Sequence, residues 1–556
     1  MKSMYLFLIL LNFASFSCRN QDVKPAVNES MPFVWENASI YFLLTDRFNN
    51  GDPSNDFQHD ADYPPAPYRG FMGGDLKGIT EKINEGYFSD LGINAIWMTP
   101  VVEQIKGSVD EGTGTSYAFH GYWSRDWTTT DPRFGTNEDL KEMIDAAHSK
   151  GIRILIDVVA NHTGPVTEKD SKWPESWIRT SPQCTYEDFE STVNCTLVAN
   201  LPDIRTESDQ EVDLPQFLVD KWKAEGRYEQ EVTELDQWFA ATGYPRTPVY
   251  YILKWLVDFV KEYGIDGFRV DTVKHTEGYL WKALYMSASA AFEDWKKEHP
   301  DSNLDDVPFY MVGEVYNYYA GAGREFDYGD TIVDFFDEGF SSLINFDFKS
   351  EALKDYEHIF SKYDSLLHGP LAGKSVVHYI SSHDDSNPFD KMRDHPISSG
   401  TKLLLCPGGI QIYYGDETAR SLSVEAEGDA TLRSFMNWED LDKKITTKEG
   451  SNTAGVLKHW STLGRFRNDH PSVGAGKHSM ISKVPYTFSR VWINDGMEDK
   501  VVVALETKAG EKKIPVNGVF EEGDMLKDYY SGKTGKVKDG KVTINSPHTT
   551  VLLALP

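Results

Sequence analysis

The sequence predicts an α/β fold: a (β/α)8 barrel with a subdomain inserted after its third strand and a C-terminal antiparallel β-sandwich. Three observations predict it. Eight short apolar, β-branched runs alternate with amphipathic helical stretches, the pattern of a parallel sheet buried on both faces. One polar interval, residues 162–247, breaks that rhythm. The last eighty or so residues turn into short alternating strands with glycine-containing turns.

In chain order the strand candidates are IYFLL (40–44), AIWM (95–98), RILIDVV (153–159), GFRVD (267–271), FYMVGEV (309–315), SLINF (342–346), VVHYISSHD (376–384) and IQIYYGDE (410–417). Between them lie helical patterns such as NEDLKEMIDAAHSKG (137–151) and the run from Val249 to Gly264. The interval 162–247, with WPESW, TSPQC and GYPRTP, carries no clean period and reads as a loop-rich subdomain or lid. YTFSRVWI, KVVVALE and KVTINS near the end alternate as strands of a sandwich do. The expected organisation is a signal peptide (1–17), a linker (18–37), the barrel in two parts (38–161 and 248–472), the insert (162–247) and the sandwich (473–556).

With 556 residues the chain has room for a large core and more than one domain. Its formal net charge is −30, from 86 acidic against 56 basic residues, the wrong balance for tracking nucleic-acid phosphates. Aromatics make up 13%, with 14 Trp, 28 Tyr and 30 Phe, a supply of flat side chains that suits sugar-binding clefts. The opening MKSMYLFLILLNFASFSC reads as a secretory signal, with Cys18 placed as the lipidated first residue of a lipoprotein although Phe16 is atypical there. Export to the periplasm, or to the outer membrane as a lipoprotein of a Gram-negative bacterium, is expected. Cys184 and Cys195 flank a short loop and could pair in an oxidising compartment, while Cys406 lies in an apolar run as a buried thiol.

Barrel chemistry collects at the C-terminal ends of strands. Those ends offer Asp157, Asn161 and His162 after the third strand, Arg269 and Asp271 on the fourth, Glu314 on the fifth, and His383 and Asp384 on the seventh. Arg269 and Asp271 are two residues apart on a strand and so share a face. A single polar strand end merely meets solvent; four carboxylates, two histidines, an arginine and an asparagine on one rim make a site.

DVVANH (157–162), GFRVDTVKH (267–275), GEV (313–315) and SSHDD (381–385) resemble, in order and spacing, the four conserved segments of the α-amylase family, glycoside hydrolase family 13. FHGYW (119–123), LPDI (201–204) and PGGIQIYYGDE (407–417) extend the resemblance. Around LPDIRTES and YGIDGFRVDTVKH the chain is similar to periplasmic maltodextrin α-amylases of Gram-negative bacteria. The resemblance implies a retaining α-amylase acting on α-1,4-glucans, with Asp271 as nucleophile, Glu314 as acid/base and Asp384 as the third carboxylate. It implies that Arg269 orients Asp271, that His162 and His383 bond the sugar ring at the cleavage subsite and that Tyr122 stacks on it. Lys274 and His275 match the leaving-group side, and Asp429 with Arg433 the donor side.

The resemblance also implies calcium, a hard ion that takes several oxygen ligands. One site would use Asn161, Asp203 and the backbone carbonyl of His275, with a further ligand from the insert. A second, in DRFNNGDPSND (46–56) and GGD (73–75), would use Asn50, Asp52, Asn55, Asp56, the Gly73 carbonyl and Asp75. The chain departs from the family at Ser382, where asparagine is usual. Only about twenty residues separate Cys18 from the first strand, which argues against the dimeric cyclodextrinase group and for a monomer. The rival readings are a maltodextrin transglycosylase or exo-α-glucosidase on the same fold, and a non-catalytic glycan-binding lipoprotein. The last would have lost a carboxylate, and none is lost.

Overall fold

A computed structural model describes residues 31–556, so the expected signal peptide and Cys18 lie outside the described residues. The eight apolar runs become strands β1 (Ser39–Leu43), β2 (Ala95–Met98), β3 (Arg153–Val158), β4 (Gly267–Val270), β5 (Tyr310–Gly313), β6 (Ser342–Asn345), β7 (Ser375–His378) and β8 (Gly409–Tyr413). Each pairs in parallel with its sequence neighbours, and β8 closes on β1. Every residue of these strands is buried. One face lines the barrel interior and the other meets the surrounding helices, which is why the runs are apolar throughout rather than alternating.

The strands stop earlier than the apolar runs suggest. β7 ends at His378, paired with Asn345 of β6 and Ile410 of β8, so His383 and Asp384 stand on the following loop. Asp271 and Glu314 each sit one residue beyond their strand. Beyond those pairs the strands splay, and the backbone is free to aim side chains into the rim.

Helix α1 (Asn137–His148) starts with a capping box between Thr136 and Asp139. The insert is less loop-like than its composition predicts. It contains α2 (Gln216–Ala224) and α3 (Tyr228–Thr242), of which only Leu218 and Trp222, and Leu235 and Phe239, are buried. Two buried residues per helix leave a stripe too sparse to read as a period. Helix α4 (Pro248–Tyr263) has proline at its first position and ends on Gly264 at φ 69°. A Cβ on Gly264 would stand 2.2 Å from the Trp295 ring, so glycine is needed there for space as well as conformation.

Within the insert a two-residue antiparallel ladder joins Ile178–Arg179 to Asp203–Ile204, and a disulfide links Cys184 to Cys195. Cys406 is a buried free thiol. The C-terminal sandwich is unequal: a six-stranded antiparallel sheet faces a two-stranded one (Gly510–Pro515 with Lys541–Ser546) across its own small core.

Candidate active site

Arg269 is the hub of the rim. Its register on β4 sets it beside Asp157 of β3, and its Nη1 donates to Asp157 Oδ1 at 2.8 Å and to Asp271 Oδ1 at 2.7 Å. Its Nη2 lies 3.0 Å from Glu314 Oε1. One buried guanidinium thus holds two rim carboxyls side by side. The Thr272 N–H donates to the other Glu314 oxygen at 3.1 Å, tying β5 to the residue after Asp271.

The carboxyls do not share one charge state. Burial pushes Glu314 up to about 8, helped by the negative Asp271 and Asp384 and opposed by Arg269. Burial also raises Asp384, but His383 and Arg433 more than offset it and hold that carboxyl below the usual range. His383 Nε2 lies 2.8 Å from Asp384, and Arg433 donates to it at 2.5 Å. Its side chain remains 45% exposed to the cleft.

Around these groups lies a cleft of about 790 Å³. Tyr122 forms one wall, stacked on the His383 ring at 5.3 Å, with its hydroxyl donating to Asp157. His162 Nε2 donates to the Tyr122 carbonyl, while its buried Nδ1 has no partner. Arg433 also pairs with Asp429, whose other contact is Arg69. Across the cleft stand Lys274 and His275, the latter with Nδ1 against the Thr192 carbonyl at 2.8 Å. All eleven catalytic and sugar-binding candidates therefore converge on one rim.

A family model described as "Alpha amylase, catalytic domain" matches residues 42–473. The chain belongs to the α-amylase family. It is 35% identical over 538 residues to a periplasmic α-amylase of Escherichia coli (strain K12), covering 85% of this chain and 72% of that one. It is 28% identical over 488 residues to a cyclomaltodextrin glucanotransferase of Bacillus licheniformis, covering 83% of this chain and 60% of that one. Among solved structures an Anoxybacillus α-amylase superposes with a TM-score of 0.63 at 22% identity, covering 94% of this chain and 99% of that one.

In this α-amylase-family chain, several roles around the site have no motif that marks them. Asp157 accepts from Arg269, Tyr122 and Trp97, which makes it the anchor of the whole hub. Tyr186 and Tyr316 flank Lys274, whose ammonium lies 5.7 Å and 5.4 Å from their rings. Tyr186 comes from the insert, where no sequence pattern singles it out.

The calcium candidates divide. Asn161 is buried with neither side-chain atom hydrogen-bonded, and Asp203 Oδ1 also lacks a partner, while its Oδ2 lies 2.8 Å from Arg179 Nε. Unpartnered buried oxygens are costly, and a cation would satisfy them. Burial pushes Asp203 up to about 9, against the pull of Arg179 and with Glu207 and Glu277 adding to the rise. In the N-terminal loop, Asn50 and Asn55 each leave a buried oxygen unpartnered. Gly73, at φ 89°, comes so close that a Cβ there would stand 2.5 Å from Asp56. Asp75 is engaged with the N–H groups of Gly51, Asp52 and Gly78. Asp52 fits less well than expected, because it is bound to Ser54 and to the Lys77 ammonium at 2.6 Å.

Proposed function

We propose that the protein is a retaining α-amylase that hydrolyses α-1,4-glucosidic bonds of starch and maltodextrins. The observation that carries this is Arg269 holding Asp271 and Glu314 together while Glu314 is pushed up to about 8. Retention needs a nucleophile and a protonated carboxyl only about 5 Å apart. Asp271, aimed by the hydrogen bond it accepts from Arg269, attacks the anomeric carbon. The glycosidic C–O bond breaks as Glu314 gives its proton to the departing oxygen, leaving a β-glycosyl ester on Asp271. Glu314, now a carboxylate, takes a proton from water as that water attacks the same carbon, and α-configured sugar leaves. Asp384, kept ionised by His383 and Arg433, balances the positive charge that develops on the ring. His162, His383 and Tyr122 frame that ring. Lys274 and His275 face the leaving group, and Asp429 with Arg433 face the donor.

NMR of freshly released reducing ends tests this reading: the α anomer is expected, and initial β product would overturn it. Transglycosylation is the second reading. It is favoured by the glucanotransferase relative and by Tyr186 and Tyr316, which give an incoming sugar two rings to pack against beside Lys274. Cyclic or lengthened products from maltodextrins would mark it.

Calcium would be held by Asn161, Asp203 and the His275 carbonyl, and a second ion by Asn50, Asn55, Asp56, Asp75 and the Gly73 carbonyl. Its contribution would be to tie the insert and the N-terminal loop to the barrel; no chemical step passes through it. Export is supported by the relative named as periplasmic, and the Cys18 box supports a lipid anchor. Detergent partitioning of wild type against Cys18→Ser tests the anchor, since a wild type that stays aqueous would remove it.

A further inference from the structure

We infer that Arg179 is an internal counter-ion that competes with calcium for Asp203, bracing the ladder of the insert without metal and weakening the metal when it binds. This rests on the calcium reading above. Asp203 stands at a junction. It faces Arg179 in the two-residue ladder of the insert, and it bridges to His162 just beyond β3. The next residue, Ile204, donates its N–H to the Asn161 carbonyl at 2.8 Å. Whatever neutralises Asp203 therefore stabilises the piece of the insert that meets the barrel at Asn161.

Arg179 is placed to do so. Its Nε lies 2.8 Å from Asp203 Oδ2, with the two side chains only 10% and 2% exposed. The contact is close but poorly aligned for a hydrogen bond, and Asp203 Oδ1 has no partner. The lone pairs of Asp203 Oδ1 thus stay open to a second cation. The far end of the guanidinium reaches Glu207, which is partly exposed. Calcium can take Asp203 while Arg179 keeps Glu207, so the exchange leaves no buried charge alone. A guanidinium about 5 Å from a divalent ion repels it by enough to cost about tenfold or more in affinity, even at the dielectric of bulk water.

Arg179→Gln removes the charge and keeps a donor of similar reach. Calorimetric titration of the calcium-stripped protein should show that variant binding calcium about tenfold or more tightly than wild type. Its stripped melting temperature should fall by several degrees, and the gap between stripped and loaded forms should widen. Arg179→Lys, which keeps the charge, should stay close to wild type in both. If Arg179→Gln folds only in calcium, the dependence itself carries the expected sign, and refolding with and without chelator reads it. Unchanged or weaker calcium binding in Arg179→Gln overturns the competition while leaving the calcium reading intact. Absence of calcium binding in both proteins overturns the two together.

Discussion

Asp271 and Glu314 share one guanidinium yet play opposite parts, nucleophile and acid, and it is the surroundings of Glu314 that suit it to the second. Asp271 takes the shorter contact with Arg269; Glu314 is buried next to two other carboxyls, which favours its neutral form. The sign of the pH dependence follows. Glu314 is the competent acid while protonated, so kcat/KM should hold at neutral pH and fall as pH rises through about 8. Glu314→Gln should abolish that basic limb. The same assignment separates two further variants. Glu314→Ala loses a contribution of typically ~10²–10⁴-fold on glucans. An α-maltosyl fluoride needs little protonation on leaving, so its first step should survive, and azide should rescue the second. Asp271→Ala should respond to neither fluoride nor azide, because no glycosyl ester forms. Identical responses of the two variants would mean that acid and nucleophile are assigned wrongly.

At the scale of elements, the loop closed by Cys184 and Cys195 connects the insert to the site. It carries Tyr186 to the cleft wall beside Lys274, and its Thr192 carbonyl accepts from His275. Opening a loop of this length costs about 2–4 kcal/mol of stability. A Cys184→Ser/Cys195→Ser protein should therefore unfold at lower denaturant, with KM for long maltodextrins raised several-fold and turnover of maltosyl fluoride kept. An unchanged KM would mean that the loop is only a brace. This loop also marks where sequence reading ran out. The eight barrel strands were legible because burial on both faces forces continuous apolar runs, and the rim carboxylates because each follows such a run closely. Strand ends were not legible: whether β7 stops at His378 or runs on to Asp384 depends on where its neighbours splay. Helices α2 and α3 were hidden by how little they bury. Asp157 was visible as a rim residue, but its role comes from Arg269 on the adjacent strand, Tyr122 on a loop and Trp97 on β2. Such a through-space relation has no sequence spacing. The Arg179–Asp203 contact is another of this kind.

For the whole molecule, the question is whether the C-terminal sandwich is a separate unit. Alternation along the strand Met497–Leu505 gives the answer, since successive side chains point to opposite faces. Val501, Val503 and Leu505 join the core that runs through the barrel, whereas Val502 and Ala504 join the small core between the two sheets. The adjacent strand repeats the division, with Leu552 and Ala554 on the barrel side and Val551 and Leu553 on the other. Phe488 packs on Phe360 of the barrel, and the Asp499 carboxylate accepts from the Ser472 N–H and contacts His470. The six-stranded sheet is thus a shared wall, and neither core is complete without it. Such an arrangement should unfold as one cooperative unit. Val503→Ala and Val502→Ala delete the same two methyl groups from opposite faces of that wall, each at a cost of about 2 kcal/mol. Calorimetry should show one transition in both proteins, moved down by a similar amount. Loss of activity on heating should track it in both. A separate early transition in Val502→Ala, with activity surviving it, would show instead that the sandwich melts alone and that the barrel holds its rim without it.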